Sequence, residues 1–205
     1  KKCHLKGLVL RSTGKWYTVR TETGELVEAQ LKGKIRLLEL DVTNPIAVGD
    51  IVNLEDSDGT WMITSIDERK NFIIRLSPKK KFMKQIIASN IDQAVLIVTL
   101  NKPRTSSGFI DRFLLTAEAY HIPTIIVFNK QDILRERDQE KQAEFIEIYE
   151  KIGYNTLLTS ATTGLGVDSL KKLITNKTTL LSGHSGVGKS TLTNAVDSSL
   201  DLKTK

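Results

Sequence analysis

The stretch GHSGVGKS, residues 183–190, sets two glycines around four residues and follows the second with a lysine and a hydroxyl. That is the phosphate-loop pattern G-x-x-x-x-G-K-S/T, and it stands between an apolar strand and a helix, as the motif requires. Its chemistry is to hold a polyphosphate without leaving the charge unpaired. The glycines let the backbone curl so that successive N–H groups face inward as an anion nest, and the helix N-terminus adds partial positive charge. Lys189 is then placed to reach the β- and γ-phosphates, and Ser190 to ligate Mg2+.

A phosphate loop does not name the base. NKQD, residues 129–132, follows the apolar run TIIVF at the carboxyl end of a strand, the edge where open α/β sheets bind ligands. A carboxylate at Asp132 can accept both N–H groups on the Watson–Crick edge of guanine. Adenine has an acceptor at the ring nitrogen and no amine at C2, and a site built to hydrogen-bond one ligand rejects such an analogue by roughly 10⁴. Asn129 is placed to brace the loop, and the Lys130 stem to cover the flat face of the ring. TSA, residues 159–161, ends another strand, where the Ala161 N–H can meet the guanine carbonyl oxygen. Together the three stretches favour GTP over ATP.

From residue 90 onward the hydrophobic rhythm supplies the elements that must position these residues. IDQAVLIVTL, PTIIVFNK, NTLLTSA and TTLLSG read as buried strands, and SGFIDRFLLTAEAYHI, QEKQAEFIEIYEKIG and GVDSLKKLI as helices between them. Ser107 is predicted as an N-cap and Gly153 as an αL cap. Buried strands alternating with helices mean a parallel sheet with right-handed crossovers. Residues 5–76 keep another rhythm: the short β segments LKGLVLR, KWYTVRT, ELVEAQLKG, IRLLEL, DIVNLE, TWMITSI and NFIIRL, separated by turn sequences such as TETGE and EDSDGT. A five-stranded OB-like barrel is the first reading and an SH3-like barrel the second. SPKKKFMKQ reads as a basic junction. The predicted organisation is an all-β barrel over 1–76, a linker over 77–89 and an α/β nucleotide domain over 90–205.

The order of the motifs is informative. NKQD, TSA and GHSGVGKS resemble the guanine-recognition, guanine-loop and phosphate-binding motifs of Ras-like GTPases, in which the phosphate loop comes first. Here it comes last, so the domain is circularly permuted, a change that a sheet tolerates when its termini lie close together. That order, behind a β-barrel, resembles the ribosome small-subunit-dependent GTPase family, the permuted bacterial GTPases of small-subunit maturation. GLVLRSTGKWYTVRT, LKGKIRL and NPIAVGD resemble that family's OB domain, and IASNIDQAVLIVT, GFIDRFLLTAEAY, FNKQD and LLSGHSGVGKSTLTNA its GTPase domain. The resemblance implies GTP contacts at Asn129, Lys130, Gln131, Asp132, Ser160, Ala161, Gly183, His184, Ser185, Gly186, Val187, Gly188, Lys189, Ser190 and Thr191. Lys189 and Ser190 would be the catalytic residues, with Ser190 on magnesium. It also implies GTP hydrolysis to GDP stimulated by the small ribosomal subunit, 16S rRNA contact through the barrel, and a zinc-binding C-terminal domain. The sequence ends at DLKTK without switch motifs or a cysteine/histidine cluster. TTLLSG is therefore expected at an exposed edge of the sheet, and the sequence is expected to be part of a longer chain. A nucleotide- or RNA-binding module without turnover and an ATP-dependent P-loop enzyme stay open as alternatives.

Charge divides along the same line. Residues 1–84 hold 16 Lys and Arg against 11 Asp and Glu, whereas residues 85–205 hold 14 against 13. A basic first part points to a polyanionic partner, with a lysine-solubilised surface as the plain alternative. Arg11, Lys15, Trp16, Arg20, Lys32, Lys34 and Arg36 are the candidate RNA-facing residues, combining charge with a ring on which a base can stack; alternation sends one of Trp16 and Tyr17 inward. The other conspicuous residues read as incidental. His184 occupies a variable position of the motif and faces solvent; His4 and His121 are isolated; Asp92, Asp111 and Glu118 are structural or solvated. One cysteine, Cys3, excludes an internal disulfide and fits a reducing compartment, so the cytoplasm is expected. No apolar run approaches membrane-spanning length, and a monomer is expected.

Overall fold

The computed structural model describes residues 4–32, 45–76, 84–200 and 202. The chain divides into two compact units, one ending at Ile91 and the other starting at Asp92.

In the first unit β1 (His4–Thr13), β2 (Trp16–Thr21), β3 (Leu26–Leu31), β4 (Ile51–Ser57) and β5 (Thr60–Ile66) close into a barrel in the order β1-β2-β3-β5-β4. Only the β3–β5 contact is parallel. That connectivity selects the OB-like reading over the SH3-like one. Period-two alternation fills the interior with Tyr17, Val19, Ala29, Val52, Leu54 and Ile63. The same alternation leaves Trp16 42% exposed while Tyr17 is buried, which settles which ring is core. A bulge between Val9 and Arg11 shifts the parity of β1, so Val9 stays inside and Arg11 turns outward opposite Thr18. The segment IRLLEL, with Lys34 and Arg36, lies outside the described residues.

The predicted linker over 77–89 is corrected at its second half. β7 (Lys84–Ser89) pairs antiparallel with β6 (Phe72–Leu76) in a separate two-stranded sheet, so NFIIRL also stands outside the barrel. The lysines of SPKKKFMKQ suggest a solvated junction, but Ile73 and Ile86 are both buried, and that burial makes the segment a strand. A buried ionic clasp fixes the hairpin. The Asp50 carboxylate, fully buried, accepts hydrogen bonds from Arg69 Nε (2.7 Å), Arg69 Nη2 (2.7 Å), Ser89 Oγ (2.5 Å) and the Ala47 N–H (2.8 Å). Four donors compensate the desolvation of a charge that would be untenable alone.

The second unit is a four-stranded parallel sheet, ordered β10-β9-β8-β11. Its strands are β8 (Gln93–Val98), β9 (Thr124–Phe128), β10 (Asn155–Leu158) and β11 (Thr179–Ser182). The helices are α1 (Ser107–Ala119), α2 (Glu136–Lys151), α3 (Val167–Ile174) and α4 (Lys189–Val196). Alternate residues of one strand serve opposite faces. Leu96, Val98, Ile126 and Phe128 pack on α1 and α2, while Val95, Ile97, Ile125 and Val127 pack on α3 and α4. Burial on both faces explains the unbroken apolar runs. The chain steps from β8 to β9 to β10 in one direction, then returns past β8 to add β11 on the other side. With right-handed crossovers this reversal moves α3 to the opposite face and opens a switch point between β8 and β11. As expected, β11 is an edge strand, paired with β8 alone among the described residues. Gly153, with φ 101°, follows the last turn of α2 as predicted. The cap of α1 is Ser106, one residue before the predicted Ser107, and its side chain makes no capping bond.

Candidate nucleotide site

The three chemistry-bearing stretches lie at the carboxyl ends of β9, β10 and β11, and one buried side chain joins them. Asn129, directly after β9, donates from Nδ2 to the Val187 carbonyl in the phosphate loop (2.9 Å). Its Oδ1 accepts from Thr159 Oγ1 at the end of β10 (2.9 Å). Its backbone N–H goes to Val98 O on β8 (2.9 Å). Asn129 is 5% exposed and Thr159 fully buried, so these bonds have no competing water. An amide suits the position because it offers one donor and one acceptor in opposite directions.

The phosphate loop, residues 183–188, connects β11 to α4. Gly183 has φ 148° and Gly188 φ 92°. A Cβ at Gly183 would collide with the Ile97 carbonyl, and one at Gly188 would come within 2.7 Å of Asn129 Nδ2. Both positions therefore demand glycine on two counts, backbone conformation and space. Val187 is fully buried beneath the loop among Val95, Ile97 and Leu192 and pins the curl from below. Lys189 Nζ donates to the Gly183 and His184 carbonyls (2.7 Å each), which folds the side chain back over the loop. Burial holds its ammonium below the usual lysine range. Ser190 follows on the first turn of α4, half-buried.

On the base side, Lys130 takes a left-handed conformation (φ 65°), which starts the short 3₁₀ turn Gln131–Ile133. Lys130 Nζ donates to the Lys102 carbonyl (2.7 Å). Asp132 is exposed, with Oδ1 accepting from the fully buried Ser160 Oγ (2.6 Å). Ser160 Oγ in turn accepts the Thr163 N–H (3.2 Å), so its hydroxyl proton is directed at the carboxylate. Ala161 follows, half-buried. The Gln131 side chain bonds Phe128 O and Gln142 on α2, which makes it part of the loop's frame.

The sequence reading missed three other parts of this rim. The loop after β8 brings Lys102 O to Lys130 and Pro103 against Gly186. Phe109, on the first turn of α1, stacks on His184 with ring centroids 3.8 Å apart and a 31° tilt; His184 is exposed, as expected, but it is not idle. Gln142 is buried. Only Gln142 left a signal: it stands three residues before Phe145 and seven before Tyr149 on the buried stripe of α2, where an apolar residue belongs.

Among the described residues, no three His, Cys, Asp or Glu side chains converge as a cation cage. The phosphate-loop stretch offers hydroxyls and no carboxylate, with Ser190 beside Lys189. This fits Mg2+, which keeps several waters and is bound chiefly through phosphate oxygens.

A phosphate loop at a switch point, with an Asn-Lys-x-Asp turn at the end of β9, one strand beyond β8, defines a P-loop nucleotide-binding domain of GTPase type in permuted order, following an OB-like barrel in the chain. The family profile described as RsgA GTPase matches residues 66–205, and that described as RsgA N-terminal domain matches residues 6–61. The chain belongs to the RsgA GTPase family. It is 52% identical over 204 residues to the small ribosomal subunit biogenesis GTPase RsgA of Flavobacterium johnsoniae, covering 98% of this chain and 63% of that protein. It is also similar to the crystal structure of YjeQ from Thermotoga maritima (TM-score 0.80, 36% identity, 99% of this chain and 68% of that one). YloQ, described as a circularly permuted GTPase, aligns with TM-score 0.70 and 29% identity over 96% of this chain and 66% of that one. The chain thus spans about 63% of the length of the first of these relatives. No helix among the described residues is long and apolar enough to cross a membrane.

Proposed function

We propose that this chain binds GTP and GDP, and that the protein to which it belongs hydrolyses GTP under stimulation by the small ribosomal subunit in late maturation of that subunit. The observation that carries the reading is the Asn129 junction. One buried amide holds the phosphate loop and both base-side strand ends together, which is what a single nucleotide lying across the rim requires. Asp132, oriented by Ser160, accepts the N–H groups of guanine, and Ala161 offers its N–H to the carbonyl oxygen. The loop amides from Gly183 to Thr191 and the Lys189 ammonium bind the phosphates. Mg2+, held by Ser190 and the phosphates, supplies charge neutralisation when bound. Lys189 exchanges its two carbonyl contacts for phosphate oxygens, so the ammonium meets charge without a large rearrangement.

The barrel is the RNA-facing part of this reading. Arg11, Lys15, Trp16, Arg20 and Lys32 are all exposed. Arg11, Trp16 and Arg20 share the outward face of β1 and β2, with Arg11 opposite Thr18 and so diagonal to both the ring and the second guanidinium group, a combination that suits 16S rRNA. Lys32 is the weakest member, since Glu55 already pairs with it at 2.8 Å. The names of relatives such as the F. johnsoniae protein, a small ribosomal subunit biogenesis GTPase, support this assignment. A cytoplasmic monomer fits it.

The test is competition and turnover. ATP should fail to displace labelled GDP, and Asp132→Asn should move preference toward xanthine nucleotides. GTP hydrolysis, measured on the family-length protein, should rise when small ribosomal subunits are added. Equal competition by ATP would overturn the guanine assignment; absence of turnover with and without subunits would leave a binding module.

A further inference from the structure

The variable third residue of the Asn-Lys-x-Asp turn has no assigned task, yet it is among the most tightly held side chains on the rim. Gln131 Nε2 donates to Phe128 O (3.0 Å) and to Gln142 Oε1 (3.1 Å), and Gln142 Nε2 donates back to Gln131 Oε1 (3.0 Å). The two amides form a closed reciprocal pair. Gln142 is 6% exposed, so losing Gln131 leaves a buried amide without its bond. The pair joins the base-reading turn to the middle of α2. The Gln131 N–H, bonded to Thr159 O (3.2 Å), holds the same turn to the end of β10.

We infer that Gln142 is a positioning residue for base recognition, acting through Gln131 to hold the turn so that the neighbouring Asp132 meets the guanine edge. The inference rests on the guanine assignment of Asp132. Ser160 grips one oxygen of that carboxylate, which sets its direction but not the height of the turn that carries it. Height is set by what anchors Gln131, and its side chain is anchored by Phe128 and by a helix that contributes nothing else polar to the turn. Lys130, in its left-handed conformation, makes the turn a tight one, so a displacement at Gln131 passes directly to Asp132.

Guanine and hypoxanthine differ only by the exocyclic amine that Asp132 alone reads. The ratio of GDP to IDP affinity therefore reports the position of the carboxylate and is insensitive to a general loss of stability. Gln142→Leu removes both bonds between the amides and leaves the Gln131 side chain held by Phe128 O alone. The double variant Gln131→Leu/Gln142→Leu replaces the pair with apolar groups, and a cavity of about 340 Å³ lined by Leu134, Ala143 and Ile146 as well as the pair gives them room. In both variants the GDP/IDP ratio is expected to fall about three- to tenfold, as expected for one weakened hydrogen bond to a charged group. The double variant should recover most of any stability lost in the single one. A lowered melting temperature with an unchanged ratio would overturn the inference, because that is the signature of a purely structural pair. Asp132→Asn, run in parallel, separates the two failures. If it does not shift preference to xanthine nucleotides, the guanine assignment is wrong; if it does while Gln142→Leu leaves the ratio intact, only the positioning role is wrong.

Discussion

Each unit of the chain is held by a buried polar junction, and the two junctions differ in what their bonds end on. Asp50 in the first unit receives four donors, and both of its oxygens are occupied by the chain itself. It has no capacity left for a ligand, and every partner belongs to the scaffold of barrel and hairpin. Asn129 in the second unit is neutral and makes weaker individual bonds, but both bonds of its side chain end on loops that face the rim. A charge is the stronger glue and the poorer marker of function. Buried polarity locates a site when its hydrogen bonds terminate on loops at a sheet's carboxyl edge, and it locates a fold when they close on themselves.

Paired substitutions test that contrast. Arg69→Met removes two of the four donors and leaves the Asp50 carboxylate buried and under-compensated, which should lower unfolding free energy by about 3–5 kcal/mol. Guanine nucleotide affinity, measured at a temperature where the variant stays folded, should be unchanged. Asn129→Ala leaves the Val187 carbonyl and the Thr159 hydroxyl without partners, at about 1–3 kcal/mol for each group. Its loss of stability, about 2–6 kcal/mol over the two groups, overlaps that of Arg69→Met, but GDP affinity should fall about tenfold or more, because three loops lose their common register. Denaturant midpoints and nucleotide titrations on both variants decide the matter. The contrast breaks if Arg69→Met weakens nucleotide binding as much as Asn129→Ala does.

The Lys189 ammonium adds a pH dependence of definite sign. Burial lowers its pKa from the ordinary 10.5, so over the window just below that value the folded protein binds fewer protons than the unfolded chain. Stability of the ligand-free protein should therefore rise with pH across the window. Nucleotide affinity should do the opposite, since binding needs the protonated lysine and the proton is lost earlier than from an exposed one. Lys189→Arg, whose guanidinium does not titrate there, supplies the reference that removes the base's own ionisation from the comparison. Affinity falling in parallel for both proteins would mean that the ammonium does not meet the phosphates.

The sequence exposed the site better than it exposed its supports. GHSGVGKS, NKQD and TSA were legible because each motif needs particular residue types at fixed spacing, and alternating apolar runs showed that all three end strands of one sheet. The barrel was legible as a class, and its parallel β3–β5 contact was not, because strand pairing between distant segments leaves no local periodicity. The hairpin at Lys84–Ser89 stayed hidden behind lysines, since composition outweighed a short apolar alternation. Gln131 and Gln142 were illegible as a pair: Gln142 stands out on the apolar stripe of α2, but nothing in the sequence names Gln131 as its partner. Phe109 and His184 are 75 positions apart and share no pattern that predicts contact.

That last contact gives the smallest and most selective expectation. Phe109 presents its ring to His184 at 3.8 Å, and the neighbouring loop sets Pro103 against Gly186, so the outer wall of the phosphate loop leans on residues outside the three motifs. A ring pair of this kind contributes about 0.5–1.5 kcal/mol beyond its buried area. Phe109→Leu keeps an apolar side chain against the core that includes Ile110 and Leu114 while removing the stack. If the stack holds the loop in its curled form, GDP affinity should fall about two- to tenfold, because loop ordering must then be completed on binding. Guanosine, which has no phosphates for the loop to grip, should bind unchanged. An equal loss for guanosine and GDP would mean that the ring supports the unit as a whole, and that the phosphate loop depends only on Val187 below it and Asn129 beside it.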